Sequence, residues 1–147
     1  MNKIEKAEVV LAYPSPFGYA TFIKCASKTF VIYMDKSGGG AVMRALNNIA
    51  GERPLTHELI SYILDGAECK IKDVVIYKEC EGTFFAKMTL VMKNELGEKI
   101  LEIDCRPSDS LTLAIRQKAP VYVLDCVLNN VEDSSEVLEE LQGKNLI

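Results

Sequence analysis

The chain is short of several residue types, and each shortage argues against a class of protein. Among its 147 residues there is no tryptophan and a single histidine, and none of the five cysteines forms a CxxC pair. Structural zinc sites need clusters of cysteine and histidine, so the composition argues against a zinc-binding fold. An odd number of cysteines within or beside apolar segments is typical of reduced thiols, and it predicts a cytoplasmic protein.

Long apolar runs and a surplus of positive charge are also missing. The longest uncharged run, residues 9–23, is interrupted by two prolines and a glycine, and it is too short to cross a bilayer. We therefore expect no membrane partner. The formal net charge of −4 disfavours nucleic-acid binding driven by bulk charge, although a local basic patch remains compatible with it.

What the chain does contain is a repeated order of apolar strands. Residues 8–11 resemble residues 73–76, and each segment is followed by a glycine-containing turn, two further strands and a helix. This order predicts an α+β domain built from a duplicated β-β-β-α unit. The expected sheet is mixed but largely antiparallel, with the helices packed against it.

The repeat also sets the expected domain boundaries. One domain is predicted over residues 1–131, with the two repeats at about 4–66 and 68–130. Residues 132–147 carry several carboxylates around a narrow apolar stripe. They are expected to form an acidic C-terminal helix or a tail.

Helix boundaries follow from local signals. The glycines at 38–40 are expected to be a flexible lead-in to a helix that starts at Ala41, because glycine inside a helix costs about 1 kcal/mol. A second helix is expected from Thr56, as its N-cap, to Gly66. A third begins at Pro107, ends near Lys118 and is followed by a parallel strand at 121–124.

The third helix has two expected faces. Apolar residues at spacings of three and four predict a buried face made of Leu111, Ala114 and Ile115. The opposite face carries Asp109, Thr112 and Arg116.

Charged residues concentrate where the sixth strand meets this helix, around Asp104, Arg106, Ser108 and Asp109. One interpretation is structural, because carboxylates near a helix start favour its dipole and Arg106 can pair with one of them. A second makes Asp104 and Asp109 ligands of Mg²⁺ or Mn²⁺ that activates water at a phosphodiester. A third makes Ser108 or Cys105 a nucleophile, although no base is adjacent in sequence.

His57 is the only histidine, near the start of the second expected helix. Such a histidine is most often a surface residue, but beside Arg53 and Glu58 it is also a candidate general base or metal ligand. The glycines at 38–40 lie at a strand-to-helix turn, where backbone N–H groups can hold an anion. They match neither the P-loop nor the GxGxxG pattern, so they indicate nucleotide binding only weakly.

Three segments resemble one known family. They are residues 51–60 (GERPLTHELI), 82–86 (GTFFA) and 104–110 (DCRPSDS). Through them the chain resembles the bifunctional nuclease domain family, formerly a domain of unknown function, from about residue 5 to 130. The resemblance implies an α+β domain with a duplicated unit, and a nuclease that acts on DNA and RNA.

The chemistry and the resemblance together predict roles for individual residues. The expected catalytic residues are His57, Glu58, Asp104 and Asp109, of which Asp104 and Asp109 would also bind the metal. The expected substrate-binding residues are Arg53, Arg106, Ser108 and Arg116. Mg²⁺ or Mn²⁺ is the expected cofactor, no organic cofactor is implied, and DNA or RNA is the expected partner.

Two main hypotheses stay open. The first is a metal-dependent nuclease; the second is a non-catalytic, oligomeric regulatory or scaffold domain whose Arg/Asp corner is structural. A homo-oligomer is expected, with a dimer favoured. One departure bears on activity: relatives usually carry Glu-Ala where this chain has Gly38-Gly39. If that glutamate binds metal, activity here would be weakened or absent.

Overall fold

The computed structural model describes residues 3–143, which form seven strands and five helices. In chain order these are β1 (Ile4–Ser15), β2 (Gly18–Cys25), β3 (Thr29–Met34), α1 (Lys36–Leu46), α2 (Thr56–Gly66), β4 (Cys69–Cys80), β5 (Thr83–Asn94), β6 (Gly97–Cys105), α3 (Pro107–Gln117), β7 (Val121–Leu124), α4 (Asp125–Leu128) and α5 (Ser135–Gly143).

All seven strands belong to one sheet, in the order β3-β2-β1-β7-β4-β5-β6. Neighbouring strands are antiparallel except β7 and β4, which are parallel. The sheet therefore consists of two three-stranded meanders, β1–β3 and β4–β6, joined through β7. The predicted α+β class and the mixed, largely antiparallel sheet are confirmed, while the origin of the two meanders by duplication stays a prediction.

Strand β5 shows how the sequence pattern creates the core. Ala86, Met88 and Leu90 are buried, and the residues between them lie on the opposite side of the sheet. Asp104 on β6 is paired with Lys87 of β5 and so lies on this outer side, as its position in the pattern predicts. The core occupies the space between the inner side and the helices.

Helix α3 connects β6 to β7 across the sheet. Since β6 and β7 are each parallel in direction to β4, the predicted parallel crossover is confirmed. Leu111 and Ala114 are fully buried as expected, but Thr112 on the opposite face is fully buried too. The prediction of a single buried face was therefore wrong, because α3 packs against α1 and α2 as well as against the sheet.

One predicted helix start was wrong, and at a second helix, which has the predicted bounds Thr56–Gly66, only the capping residue differs from the prediction. Helix α1 begins at Lys36 and includes the three glycines. A Cβ added at Gly39 would lie 2.4 Å from Cβ of Tyr19. Close packing therefore requires glycine there, and outweighs the cost of glycine in a helix. At α2 the N-cap is Leu55, and Thr56 is the first helical residue, without a side-chain capping bond.

The acidic C-terminal segment forms helix α5, which buries Leu138 and is anchored beside β3. The backbone N–H of Ser134 donates to Thr29 O over 2.6 Å, and Thr29 N–H donates to the Asp133 carboxylate over 3.0 Å. Residues 144–147 of the predicted helix or tail lie outside the described residues. Between residues 3 and 143, no helix combines the length and apolarity that a membrane crossing requires.

Candidate active site

The junction between β6 and α3 places a carboxylate in the first turn of a helix. Arg106 is the N-cap residue and Pro107 occupies the first helical position, so Asp109 lies where its charge favours the helix dipole. Arg106 Nε donates to Asp109 Oδ2 over 3.0 Å, and Arg106 Nη2 reaches Asp109 Oδ1 at 3.4 Å. This ion pair matches the structural interpretation of the corner.

Helix α2 brings a second, sequence-distant residue to the same carboxylate. His57 Nε2 lies 2.8 Å from Asp109 Oδ1, and the side chains are 17% and 34% exposed respectively. The two proline-marked segments, 53–58 and 104–109, thus meet in space. This convergence is the geometric condition that a shared active site requires.

The charge state of Asp109 determines which nitrogen of His57 is available for chemistry. Burial raises the pKa of Asp109, but the hydrogen bonds from Arg106 and His57 outweigh it and bring the pKa below the ordinary 3.8. An ionised carboxylate accepts hydrogen bonds only, so Nε2 carries the proton that it donates to Asp109. In this tautomer Nδ1 is the ring nitrogen that carries a lone pair and can accept a proton.

Glu58 and Arg116 form a second pair one position further along α2. Arg116 Nη2 donates to Glu58 Oε1 over 3.2 Å, and the Glu58 side chain is 6% exposed. A buried carboxylate needs such a partner, because an unpaired charge is costly in the protein interior. Glu58 therefore fixes the guanidinium of Arg116 in this structure.

An open groove of about 510 Å³ lies beside these pairs, between α1, α2 and α3. Its cationic lining consists of Lys36, Arg44 and Arg116, and His57 forms part of the same wall. Among the residues described, Nε of Arg44 and Nε of Arg116 are buried and have no hydrogen-bond partner. The arginines themselves line the groove, and guanidinium groups in such a place are suited to an anionic group such as phosphate.

Sequence reasoning missed Lys36 and Arg44. Both lie on α1, on the helix face that also carries Gly40 between them, and all three residues line the groove. The sequence did offer a signal: in a helix that continues through the three glycines, two cations eight residues apart lie near the same face. It could not be used, because the helix was expected to begin only at Ala41.

Three predicted site residues lie apart from the His57–Asp109 pair. Asp104 accepts a hydrogen bond from Tyr77 Oη over 2.7 Å, which raises the pKa of Tyr77. Ser108 is buried, and its Cβ would lie 2.9 Å from a Cβ added at Gly38. Arg53 is exposed in the loop before α2.

The predicted metal ligands do not form a ligand set here. Asp104 is bonded to Tyr77, and Asp109 to Arg106 and His57. In the stretch 3–143 no group of three histidine, cysteine, aspartate or glutamate side chains is arranged to hold a metal ion. The donors as placed therefore do not fit Mg²⁺ or Mn²⁺, which take several oxygen ligands.

Fold and site together define an α+β protein with a histidine–carboxylate pair beside a cation-lined groove. The family model described as the bifunctional nuclease domain matches residues 23–136, which is more than half of the chain. The chain therefore belongs to the bifunctional nuclease domain family, as the sequence segments predict.

Known relatives are similar over part of their length. An uncharacterised protein of Mycobacterium tuberculosis strain H37Rv is 31% identical over 97 residues, covering 66% of this chain and 55% of that protein. Bifunctional nuclease 2 of Oryza sativa subsp. japonica is 29% identical, covering 56% of this chain and 25% of that protein. Bifunctional nuclease 1 of Arabidopsis thaliana is 27% identical with the same coverage. The chain thus spans about half the length of the mycobacterial protein and a quarter of the length of each plant protein.

Proposed function

We propose that this protein hydrolyses phosphodiester bonds of DNA or RNA at the groove beside His57. The observation that carries the proposal is the 2.8 Å contact between His57 and Asp109, which unites two distant segments at a cation-lined wall. Family membership and two plant relatives named bifunctional nucleases support the same reaction class. The net charge of −4 makes a local cationic site necessary for binding phosphate.

The proposed reaction uses His57 as a general base. Asp109 holds the Nε2–H, so that Nδ1 accepts a proton from water as the water oxygen attacks phosphorus. The bond from phosphorus to one ester oxygen then breaks, and that leaving oxygen takes up a proton from solvent. The non-bridging oxygens of the phosphate gain charge in the transition state. Arg116, Arg44 and Lys36 stabilise that charge, and Glu58 keeps Arg116 in position.

Whether cleavage depends on the predicted metal ion is a question for measurement. Because Asp104 and Asp109 have other partners in this structure, no step of the mechanism is assigned to an ion. If Mg²⁺ or Mn²⁺ takes part, Asp109 would have to leave Arg106, and its oxygens would become ligands. Activity measured with and without a chelator distinguishes these cases.

A second candidate function is a non-catalytic regulatory or scaffold domain. The observation that favours it is that Glu58 in the groove wall and Asp109, the partner of His57, each already form an ion pair with an arginine. In this case the Arg106–Asp109–His57 network holds α2 against α3 and has no chemical role. The two candidates differ in whether replacing His57 changes catalysis or only stability.

The decisive experiment is a cleavage assay on single-stranded DNA and RNA, with EDTA, Mg²⁺ or Mn²⁺. The wild type is compared with His57→Ala and Lys36→Ala, and with Lys93→Ala as an exposed lysine outside the groove. We expect His57→Ala to lower kcat by about 10²–10⁴-fold, the usual worth of a general base. Lys36→Ala should mainly raise KM, and Lys93→Ala should leave both constants unchanged.

Circular dichroism of each variant separates a lost reaction from a lost fold. Equal cleavage by the wild type and a folded His57→Ala would identify a contaminating nuclease and overturn the proposal. No cleavage by any preparation, under any metal condition, would leave the scaffold function as the better account.

A further inference from the structure

A second pocket, separate from the groove beside His57, lies where the curved sheet brings its two halves together. Phe30 of β3 stacks on Phe84 of β5 with ring centroids 5.7 Å apart, although four strands lie between β3 and β5 in the sheet. The pocket has a volume of about 260 Å³ and is lined by β3, the start of β5 and the β6–α3 corner. We call it the β3–β5 pocket. Sites for drug-sized ligands measure roughly 300–1,000 Å³, so this pocket suits one small ring system.

The strands that border the β3–β5 pocket have backbone groups that the sheet does not use. β3 is an edge strand, so alternate peptide groups along it point away from β2, and its residues 32–34 line the pocket. The pairing of β5 with β6 begins at Ala86, so Thr83 and Phe84, which also line the pocket, have no β6 partner. Such peptide N–H and C=O groups can bind the polar edge of a planar ligand.

Two aromatic side chains line the same pocket. Phe84 is held in place by its stacking on the fully buried Phe30. Tyr33 is 83% exposed, and among the residues described no other ring or lysine stacks on it. Aromatic rings with a free face are the groups on which proteins stack the unpaired bases of single-stranded nucleic acid.

Two polar side chains of the β6–α3 corner complete the pocket. Ser108 is only 7% exposed, and its hydroxyl makes no hydrogen bond with any residue in the described part of the chain. A buried hydroxyl without a partner is costly, and a ligand in the pocket would supply one. Arg106 uses Nε and Nη2 to hold Asp109, whereas Nη1 has no partner among the described residues. Its guanidinium therefore keeps donors for a ligand.

The charges around the pocket favour a neutral ligand over a phosphate group. Asp35 also lines the pocket, and its Oδ1 accepts the Gly38 backbone N–H over 2.6 Å, so its carboxylate repels a second anion. A nucleobase is neutral and planar. Guanine presents two adjacent acceptors, N7 and O6, and arginine binds both at once in the commonest base-specific contact. Adenine has an amino group in place of O6, and this donor cannot accept from a guanidinium.

We propose that the β3–β5 pocket binds one guanine base of a nucleic-acid substrate. Arg106 donates to N7 and O6, Tyr33 stacks on the ring, and the Ser108 hydroxyl hydrogen-bonds to the base edge. Arg106 also holds Asp109, the partner of His57, so the bound base belongs to a nucleotide close to the cleaved phosphodiester. The inference rests on the proposed function and adds a base preference to it.

The first test is calorimetric titration with guanosine monophosphate (GMP) and adenosine monophosphate (AMP), which requires no cleavage. We expect the wild type to bind GMP at least about 10-fold more tightly than AMP, because only guanine pairs with Arg106 through two hydrogen bonds. Tyr33→Ser should weaken GMP binding about 10-fold through the loss of stacking. Tyr62→Ser is the matched control, since Tyr62 is an exposed tyrosine on α2, outside the pocket, and should leave binding unchanged. Equal affinities for GMP and AMP, no measurable binding of either, or wild-type affinity in Tyr33→Ser would overturn the proposal.

Arg106→Lys tests the base contact itself. Lysine keeps a positive charge beside Asp109 but lacks the planar fork that binds two acceptors, so the ratio of GMP to AMP affinity should fall to nearly one. A purely structural role of Arg106 would change both affinities by the same factor, and an unchanged ratio would therefore contradict the assignment. Circular dichroism shows whether the variant is folded, and if it is not, the Tyr33→Ser titration decides.

Mapping of cleavage sites separates this inference from the proposed function. The substrates are single-stranded oligonucleotides of thymidine that carry one guanosine or one adenosine at the same position. We expect the cuts to concentrate beside guanosine and to spread evenly in the adenosine substrate. Cleavage without any base preference would overturn the inference and leave hydrolysis standing. A GMP preference in a protein that cleaves nothing would overturn hydrolysis and leave the guanine pocket.

Discussion

Two strand-to-helix corners of the molecule, β3–α1 and β6–α3, use a carboxylate in different ways. At the β3–α1 corner Asp35 is the N-cap, and its Oδ1 accepts the Gly38 backbone N–H over 2.6 Å. At the β6–α3 corner the N-cap is Arg106, which makes no side-chain capping bond, and Asp109 in the first turn binds side chains instead. Asp35 caps its own helix, whereas Asp109 binds a side chain from α2.

This difference shows why only one corner is a candidate site. Gly38 and Gly39 allow α1 to lie directly against Ser108 and Tyr19, so the first turn of α1 is closely packed. At the second corner α2 approaches from a distant part of the sequence and adds His57. Chemistry is expected where two separate segments contribute polar groups.

The largest expected effect is the difference in activity between two variants in which one of these carboxylates, Asp109 or Asp35, is replaced by its amide. Asp109→Asn keeps the shape but loses the charge that orients His57, so we expect kcat for phosphodiester cleavage to fall by about 10²–10⁴-fold. Asp35→Asn should keep activity, because asparagine remains a good N-cap. Single-turnover cleavage rates of both variants measure the difference.

Thermal unfolding of the same two variants provides the control. Both should remain folded at neutral pH, and Asp35→Ala, which removes the cap altogether, should lose about 0.5–2 kcal/mol of stability relative to Asp35→Asn. If Asp35→Asn and Asp109→Asn lost activity equally, the functional distinction between the corners would be wrong.

The close packing of the first corner can be broken by a single methyl group. In Gly39→Ala the new Cβ would lie 2.4 Å from Tyr19 Cβ, so we expect a loss of about 1–3 kcal/mol despite the better helix propensity of alanine. In Gly40→Ala the nearest Tyr19 atoms are 3.7 and 3.9 Å away, which is ordinary contact. That variant should gain up to about 1 kcal/mol.

Urea unfolding of both glycine variants measures these changes. The informative quantity is their difference, since the two substitutions alter the unfolded chain in the same way. A Gly39→Ala variant as stable as Gly40→Ala would mean that α1 can shift away from β2 at no cost.

The smallest expected effect is the pH dependence of the difference in unfolding free energy between the wild type and Asp109→Asn. Asp109 has a folded-state pKa below 3.8, so its ionised form stabilises the folded state above that value. This contribution is lost as the pH falls through the folded-state pKa. The stability advantage of wild type over Asp109→Asn should therefore be largest above about pH 5 and shrink below about pH 4. An advantage that grew on acidification would have the wrong sign for this ion pair.

Much of the architecture could be predicted from the sequence. Alternating apolar residues on β5 and the proline at 107 determine local structure directly, and both predictions are confirmed. The predicted parallel connection between β6 and β7 also holds, since a short crossover through one helix permits few alternatives. Local rules were sufficient wherever the chain's own neighbours decide the conformation.

The remaining features depend on contacts between distant residues. The glycines of α1 look like helix breakers until Tyr19 and Ser108 are seen against them. Leu59 and Ile63 have helical spacing, but the spacing could not show that their side faces solvent while Glu58 faces α3. The partner of His57 was likewise beyond local reasoning, because it is 52 positions away.

The position of β7 has a consequence for how the molecule is assembled. Only four residues long, this strand is hydrogen-bonded to β1 on one side and to β4 on the other, and it follows both in the chain. A ribosome must therefore release residues 121–124 before the hydrogen-bonded ladder between the two meanders can exist. Until then a growing chain holds two separate antiparallel sheets, each with an open inner edge available to any other extended strand.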